Sequence, residues 1–549
     1  MKKFFIALLF SACLLNVGYT QQRIAIPSDK PKLIVEIIVS QMRYDYIHRY
    51  WDKFSEGGFK LLVNEGAFCK NARYNYLLTQ AYPGIATIST GANPMVHGVI
   101  SNKWYSKANG EPVDAVADDK MNTIGGSYFS GKFSPKNIIT STFGDELNLY
   151  DPESKVVGIS LDAGSAILST GHNPTGSFWF DAEKGNWVSS SFFMSNLPAW
   201  ADTFNTKKFA KLYAERQWDA SHPINTYDEA DTNKVKAAEV KKKLIDKIKS
   251  MIDGVIQKKA QTLNYASLLE SPFGNLLTKD FAIASIVGEN LGNDDHTDFL
   301  TLTFSVNRAL GLKYGPQSIE VEDAYIKLDK ELAHFLEFIS GTVGKENVLV
   351  VLTSDQGIAS TPAYLEKSKI PGGYFDPNKA MALLGSYLKA IYGQGNWVTA
   401  YYEKQIYLNH RLIEDSNLKL EDVQQKIASF MLEFSGVANA ITGSTLQSAN
   451  FTMGIFQKFQ NSYNQRRSGD IILNLEPGWV ESNGSVTSGN SAYSYDVHVP
   501  LVWYGWKIKR RSILSPVDMT DIAPTLSTLI GITWPNGATG NPIRELIEY

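Results

Sequence analysis

At 549 residues, with 44% hydrophobic and 20% charged side chains, the chain has a globular composition and enough apolar mass for at least one large core. Its 53 basic and 56 acidic residues leave a net charge of -3. That balance excludes a global electrostatic pull toward nucleic acid or an anionic membrane.

The chain opens on "MKKFFIALLFSACLLNVGYTQQ", with two lysines, an apolar stretch from Phe4 to Val17, then small and polar residues. This predicts a signal peptide over 1–21 and a mature domain over 22–549, exported to the periplasm, the outer membrane or the exterior. The apolar stretch is short for a membrane span, and no later run approaches the roughly 20 residues one needs. Cys13 lies among further apolar residues and fits a lipoprotein site poorly. With the leader gone Cys69 is the single cysteine, so no intrachain disulfide can form.

"KLIVEIIVS" (32–40) is a near-continuous apolar run, the pattern of a strand buried on both faces. "KVVGISL" (155–161), "DFLTLTFS" (298–305) and "NVLVVLTS" (347–354) repeat it. "TQAYPGIATISTGANPMVHGVISNKW" (79–104) reads as a Pro-Gly turn leading into a small-residue helix. The spacing of Val321, Tyr325, Leu328, Leu332 and Phe335 predicts a helix over 318–340. A lysine-rich amphipathic pattern over 231–260 reads as a solvated surface helix. Residues 395–475 read as an inserted, smaller α+β subdomain. Strand, loop and helix alternate elsewhere, which predicts an α/β fold with a doubly wound, mostly parallel sheet flanked by helices. Ligands of such sheets sit at the carboxyl ends of the strands, directing attention to Ser40, Ala81, Ser305 and Asp355.

"VSQMRYDYI" (39–47), "YPGIATISTGANPMVHGVISNKWY" (82–105) and "ISLDAGSAILSTGH" (159–172) form one pattern with "FSVNRALGLKYGPQS" (304–318). "LTSDQGIAS" (352–360), "YSYDVHVPLVWYGW" (493–506) and "DIAPTLSTLIGI" (521–532) continue it. From about residue 30 onward the chain resembles the zinc-dependent, single-threonine alkaline phosphatases of the PafA type. These belong to the alkaline phosphatase superfamily, beside the type I phosphodiesterases and nucleotide pyrophosphatases. The resemblance implies that fold, two zinc ions held by aspartates and histidines, and a threonine nucleophile.

Carried over position by position, the resemblance places those roles on unexpected residues. The nucleophile falls on Ala81. Metal-ligand positions fall on Ser40, Arg308, Leu312, Gln356 and Gly489, and Asp355 alone keeps a ligand type. A phosphate clamp of lysine and arginine falls on Asp162 and Gly164, and Asn102 is retained from the phosphate shell. Using Thr79 instead of Ala81 would need a two-residue slip against the anchors Pro83, Gly84, Gly91 and Gly98. His97, His172 and His498 read as hydrogen-bonded structural histidines. A single weak cation at Asp355 with Asp496 is a further alternative. Arg308 is expected to pair with Asp355 in space that the resemblance assigns to metal.

These substitutions lead to the expectation of a catalytically inactive homologue, binding no cofactor and retained to bind, scaffold or regulate an envelope protein or small ligand. Two alternatives stand beside it. One is an active phosphomonoesterase or phosphodiesterase with a rearranged metal site. The other is a small-anion or glycan binder that uses the old cleft, with Tyr82 and Trp104 as its walls.

Overall fold

The computed structural model describes residues 29–228, 265–482 and 484–548. The expected signal peptide and the lysine-rich pattern over 231–260 lie outside the described residues. In chain order the strands that matter here are β1 (Leu33–Val39), β2 (Ala67–Cys69), β3 (Thr123–Ile124), β4 (Val156–Ser160), β5 (Gly176–Asp181) and β6 (Asn186–Ser190). There follow β7 (Asp298–Phe304), β8 (Val348–Thr353), β9 (Val398–Tyr402), β10 (Gln405–Leu408) and β11 (Val437–Thr442). The last three are β12 (Ile471–Leu475), β13 (Leu501–Gly505) and β14 (Arg511–Ile513). The helices are α1 (Ala81–Thr90), α2 (Ala163–Thr170), α3 (Pro272–Gly288), α4 (Val306–Tyr314), α5 (Ile319–Ile339), α6 (Pro377–Tyr392), α7 (Leu420–Met431) and α8 (Ile522–Ile530).

Ten strands form the main sheet in the order β14-β2-β13-β8-β1-β7-β4-β5-β6-β3. Its centre, β8-β1-β7-β4-β5, is parallel, and antiparallel pairs appear only toward the two edges. All seven residues of β1 are buried. Leu33, Val35, Ile37 and Val39 enter one core with Phe281 of α3 and Leu328, Leu332 and Phe335 of α5. Ile34 and Ile38 enter the opposite core with Ile85 of α1, Ile167 of α2 and Leu526 of α8. Cover on both faces is why the run carries no polar alternation. α5 begins where Ser318 accepts a hydrogen bond from the Val321 amide, a side-chain N-cap.

The Pro-Gly pair does not make the expected turn. Pro83 and Gly84 lie inside the first turn of α1, which starts at Ala81. Proline is tolerated there because the first helical amides have no intrahelical acceptor. Gly84 is needed for close approach: a Cβ on it would lie 1.9 Å from the carbonyl oxygen of Asp355, just past β8. Gly91 ends the helix with φ 65°.

β9 to β12 form a separate antiparallel sheet in the order β9-β10-β12-β11. Its core joins Ile406, Ile471 and Leu473 to Leu384 and Leu388 of α6 and to Val423, Ile427 and Met431 of α7. Because α6 and Phe375 share that core, the unit begins upstream of residue 395. A small cluster of Leu77, Leu78, Leu446, Phe459 and Ile472 seats it against the segment leading into α1. Tyr402 pairs with Gln405, so Glu403 and Lys404 form a two-residue turn with φ 47° and 63°. Such a turn needs positive φ at both positions, normally supplied by Asn-Gly.

Candidate functional site

The carboxyl ends of β1, β8, β7 and β4 converge beside the N-terminus of α1, where α/β sheets place their ligands. Ser40 and Asp355 are both fully buried, and the Ser40 hydroxyl donates to Asp355 Oδ2 at 2.5 Å. Gln41, held at φ 60°, turns its amide to Asp355 Oδ1 at 2.9 Å. Burial pushes the Asp355 carboxyl above the usual carboxylate range, against the pull of Arg308 and of these two donors. The pair therefore lies fully buried where β1 and β8 end. Ala81 is fully buried in the first turn of α1. The Thr79 hydroxyl is buried and donates to the Ser491 carbonyl at 3.1 Å, so it is committed to a structural bond.

Arg308 lies in the first turn of α4. Its Nη2 reaches Asp162 Oδ2 at 3.4 Å, and Nη1 is buried without a partner. The expected pairing with Asp355 is thus corrected, since the Asp355 oxygens are already taken by Ser40 and Gln41. Burial disfavours the guanidinium charge, but the carboxylates of Asp162 and then Asp355 outweigh it, so Arg308 is held more firmly protonated than usual. Asp162 has a second task. It caps α2, accepting from the Ser165 amide at 3.0 Å and the Ser165 hydroxyl at 2.8 Å. Reading it only as a missing cation overlooked that Asp-x-x-Ser signal, which the sequence displays.

Gly164 is bare because Tyr82 covers it: a Cβ there would lie 2.2 Å from Tyr82 Cζ. Gln356 and Gly489 are likewise complementary, with a Cβ on Gly489 falling 2.9 Å from Gln356 Oε1. Leu312 is partly buried one turn after Arg308 on α4. Asn102 Oδ1 accepts from the Tyr82 amide at 3.0 Å, which joins this residue to the start of α1. Asp496, near Gly489, is fully buried; it accepts from Ser491, and its Oδ1 has no partner. Burial pushes its carboxyl up to about 7.

The histidines stand apart from this cleft. His97 is buried between Thr87 and the Val99 amide, and burial pushes its imidazole down to about 3. His172 pairs with Asp145 at 2.9 Å, and the His498 ring contacts the Lys70 carbonyl at 3.0 Å.

The comparisons with known proteins fit this architecture. The family model for type I phosphodiesterase / nucleotide pyrophosphatase matches residues 34–493. The chain belongs to that family. Among curated relatives, alkaline phosphatase PafA of Elizabethkingia meningoseptica is 35% identical, over 100% of this chain and 99% of its own length. Alkaline phosphatase PhoV of Synechococcus elongatus is 33% identical, over 94% of this chain and 93% of its own. The crystal structure of wild-type alkaline phosphatase PafA superposes with a TM-score of 0.85 at 34% identity, covering 95% of this chain and 100% of that one. These findings correct the expectation of an inactive homologue kept for scaffolding or regulation. Full-length relatives of this phosphodiesterase family are named as phosphatases, and nothing in the comparisons marks an inactive chain.

Two zinc ions nevertheless do not fit the residues present. Zinc takes thiolate, imidazole or carboxylate donors. Here Asp355 is engaged by Ser40 and Gln41, Arg308 brings a fixed positive charge, and Leu312 and Gly489 offer no donor. Among the described residues no group of three or more His, Cys, Asp or Glu side chains is placed to hold a metal.

Proposed function

We propose that this chain binds phosphate esters, monoesters or diesters, whose phosphoryl group docks between Arg308 and Asn102 in a metal-independent way. One observation carries the reading. Arg308 is a firmly charged guanidinium held in place by Asp162, with a buried Nη1 left unpartnered. A guanidinium recognises phosphate by paired charge-assisted hydrogen bonds, and a buried donor without a partner gains most from an anion that supplies one. Positive charge at the equatorial oxygens is what phosphoryl recognition requires. Hydrolysis at this rearranged site is the second reading, favoured by relatives that are named alkaline phosphatases. The N-terminal pattern of the sequence supports placing the protein outside the cytoplasm.

The test is calorimetric titration of the purified chain with inorganic phosphate and with adenosine monophosphate in EDTA, beside turnover of p-nitrophenyl phosphate and its bis-ester. Saturable binding in EDTA supports docking at Arg308, and turnover in the same buffer adds the hydrolase. Binding that appears only on adding zinc would overturn the metal-independent cleft. No binding under either condition would overturn the reading altogether.

A further inference from the structure

We propose that Glu403, at the tip of the β9–β10 turn of the second unit, is a positioning residue of the cleft. Through Gln80 it anchors the backbone of Asn102, whose side chain, turned by the Tyr82 amide, offers its N–H groups to an anionic ligand. This inference rests on the reading above, in which Asn102 and Arg308 hold the phosphoryl group.

The chain of contacts has one polarity. Glu403 Oε2 accepts from Gln80 Nε2 at 2.5 Å. A carboxylate can only accept, so the Gln80 amide must turn its nitrogen to Glu403 and its oxygen the other way. That oxygen accepts from the Asn102 backbone amide at 2.7 Å. Asn102 Oδ1 in turn accepts from the Tyr82 amide at 3.0 Å, one of the first-turn amides of α1 that lack an intrahelical acceptor. With Oδ1 committed, Nδ2 is the end of Asn102 that remains for a ligand oxygen. The Tyr82 amide thus sets which end of the Asn102 side chain is free, while Glu403, on a different structural unit, acts through Gln80 on the Asn102 backbone that carries it.

The turn that carries Glu403 is independently unusual. Glu403 and Lys404 are both non-glycine residues at positive φ, and Asn490, which meets them, stands at φ 81°. Lys404 is 2% exposed, and its ammonium donates to the Asn490 carbonyl at 2.5 Å. Asn490 Nδ2 donates back to Glu403 Oε2 at 3.3 Å. Positive φ is what any two-residue hairpin turn demands. The buried Lys404 ammonium, tied through Asn490 to Glu403, is what a turn that only joined two strands would not need.

The experiment measures phosphate affinity by calorimetry in EDTA at pH 8 for the full chain and its variants, with thermal unfolding of each ligand-free protein alongside. Glu403→Leu and Gln80→Met should each weaken phosphate binding about tenfold while the ligand-free melting temperature changes little. Their double variant should lose no more than either alone, because both cut the same relay. Glu403→Gln keeps an acceptor and should restore affinity to within about threefold of the parent. Parent-like binding by Glu403→Leu and Gln80→Met, or losses that add in the double variant, would overturn the relay alone. If Glu403→Leu does not fold, Gln80→Met, on the main domain, decides the question. Failure of the parent itself to bind phosphate would overturn the phosphoryl reading and this inference together.

Discussion

At the level of single residues, the cleft is best understood as a redistribution of charge. Arg308 stands where the family resemblance expects an acidic ligand, and Asp162 stands where it expects a cation. The structure brings these two together at 3.4 Å. The sequence displays both substitutions, yet their pairing is invisible in it, because they lie 146 residues apart and meet only when β4 and β7 align in register. The same holds for Tyr82 over Gly164 and Gln356 beside Gly489, two complementary fits that explain why small residues are tolerated at those points. Replacing Arg308 by methionine keeps the bulk and removes the charge. Asp162, with a side chain about 21% exposed, would then keep its capping donors and the Ser160 hydroxyl but lose its only charged partner among the described residues. That loss should cost about 1 kcal/mol of stability, read as a lower urea midpoint. Phosphate affinity should fall by at least about tenfold. Arg308→Lys should recover part of it, since a lysine restores the charge without the planar fork. Unchanged phosphate affinity in Arg308→Met would remove Arg308 from the site.

Among the elements, those with strong apolar periodicity were legible in advance. The four apolar runs became β1, β4, β7 and β8, and the pattern over 318–340 became α5 (Ile319–Ile339). What escaped the sequence is how closely elements approach. Pro83-Gly84 looks like a turn by composition, but tertiary contact makes it the first turn of a helix pressed against the end of β8. Likewise α6 joins the second unit only because its apolar face meets β10 and β12, which no local pattern reveals. The contact at Gly84 gives a sharp test. Adding one methyl in Gly84→Ala would drive Cβ to 1.9 Å from a backbone oxygen that has no flexible side chain to move aside. Alanine is the better helix former, so propensity alone predicts a gain of up to about 1 kcal/mol. Overpacking against rigid backbone outweighs that gain, and a net loss of about 1–3 kcal/mol is expected by urea unfolding. A stability gain in Gly84→Ala would mean that α1 does not pack on the Asp355 carbonyl as described.

For the molecule as a whole, the unexplained cost is buried acid. Glu36 sits in the middle of β1, 1% exposed, level with Thr301 on β7 and Val351 on β8, and its Oε2 has no partner. Burial alone pushes its carboxyl up to about 8. Between pH 5 and 8 the folded protein therefore keeps a proton on Glu36, while the unfolded chain, with an ordinary glutamate near 4.5, has lost it. The folded state binds more protons, so stability falls as pH rises across that window, by about 1.4 kcal/mol per pH unit for this one group. Asp496 and Glu403, each pushed up to about 7, add the same sign at the lower end of the window. His97, pushed down to about 3, opposes them below neutrality, because the unfolded imidazole takes up a proton that the folded one refuses. Those groups are shared by parent and variant, so Glu36→Gln isolates the central one. Urea unfolding at pH 5, 6, 7 and 8 should show the parent losing stability relative to Glu36→Gln at close to that slope, levelling off above pH 8. A difference that stays flat from pH 5 to 8 would mean that Glu36 ionises normally in the folded sheet, and that a donor reaches its carboxylate.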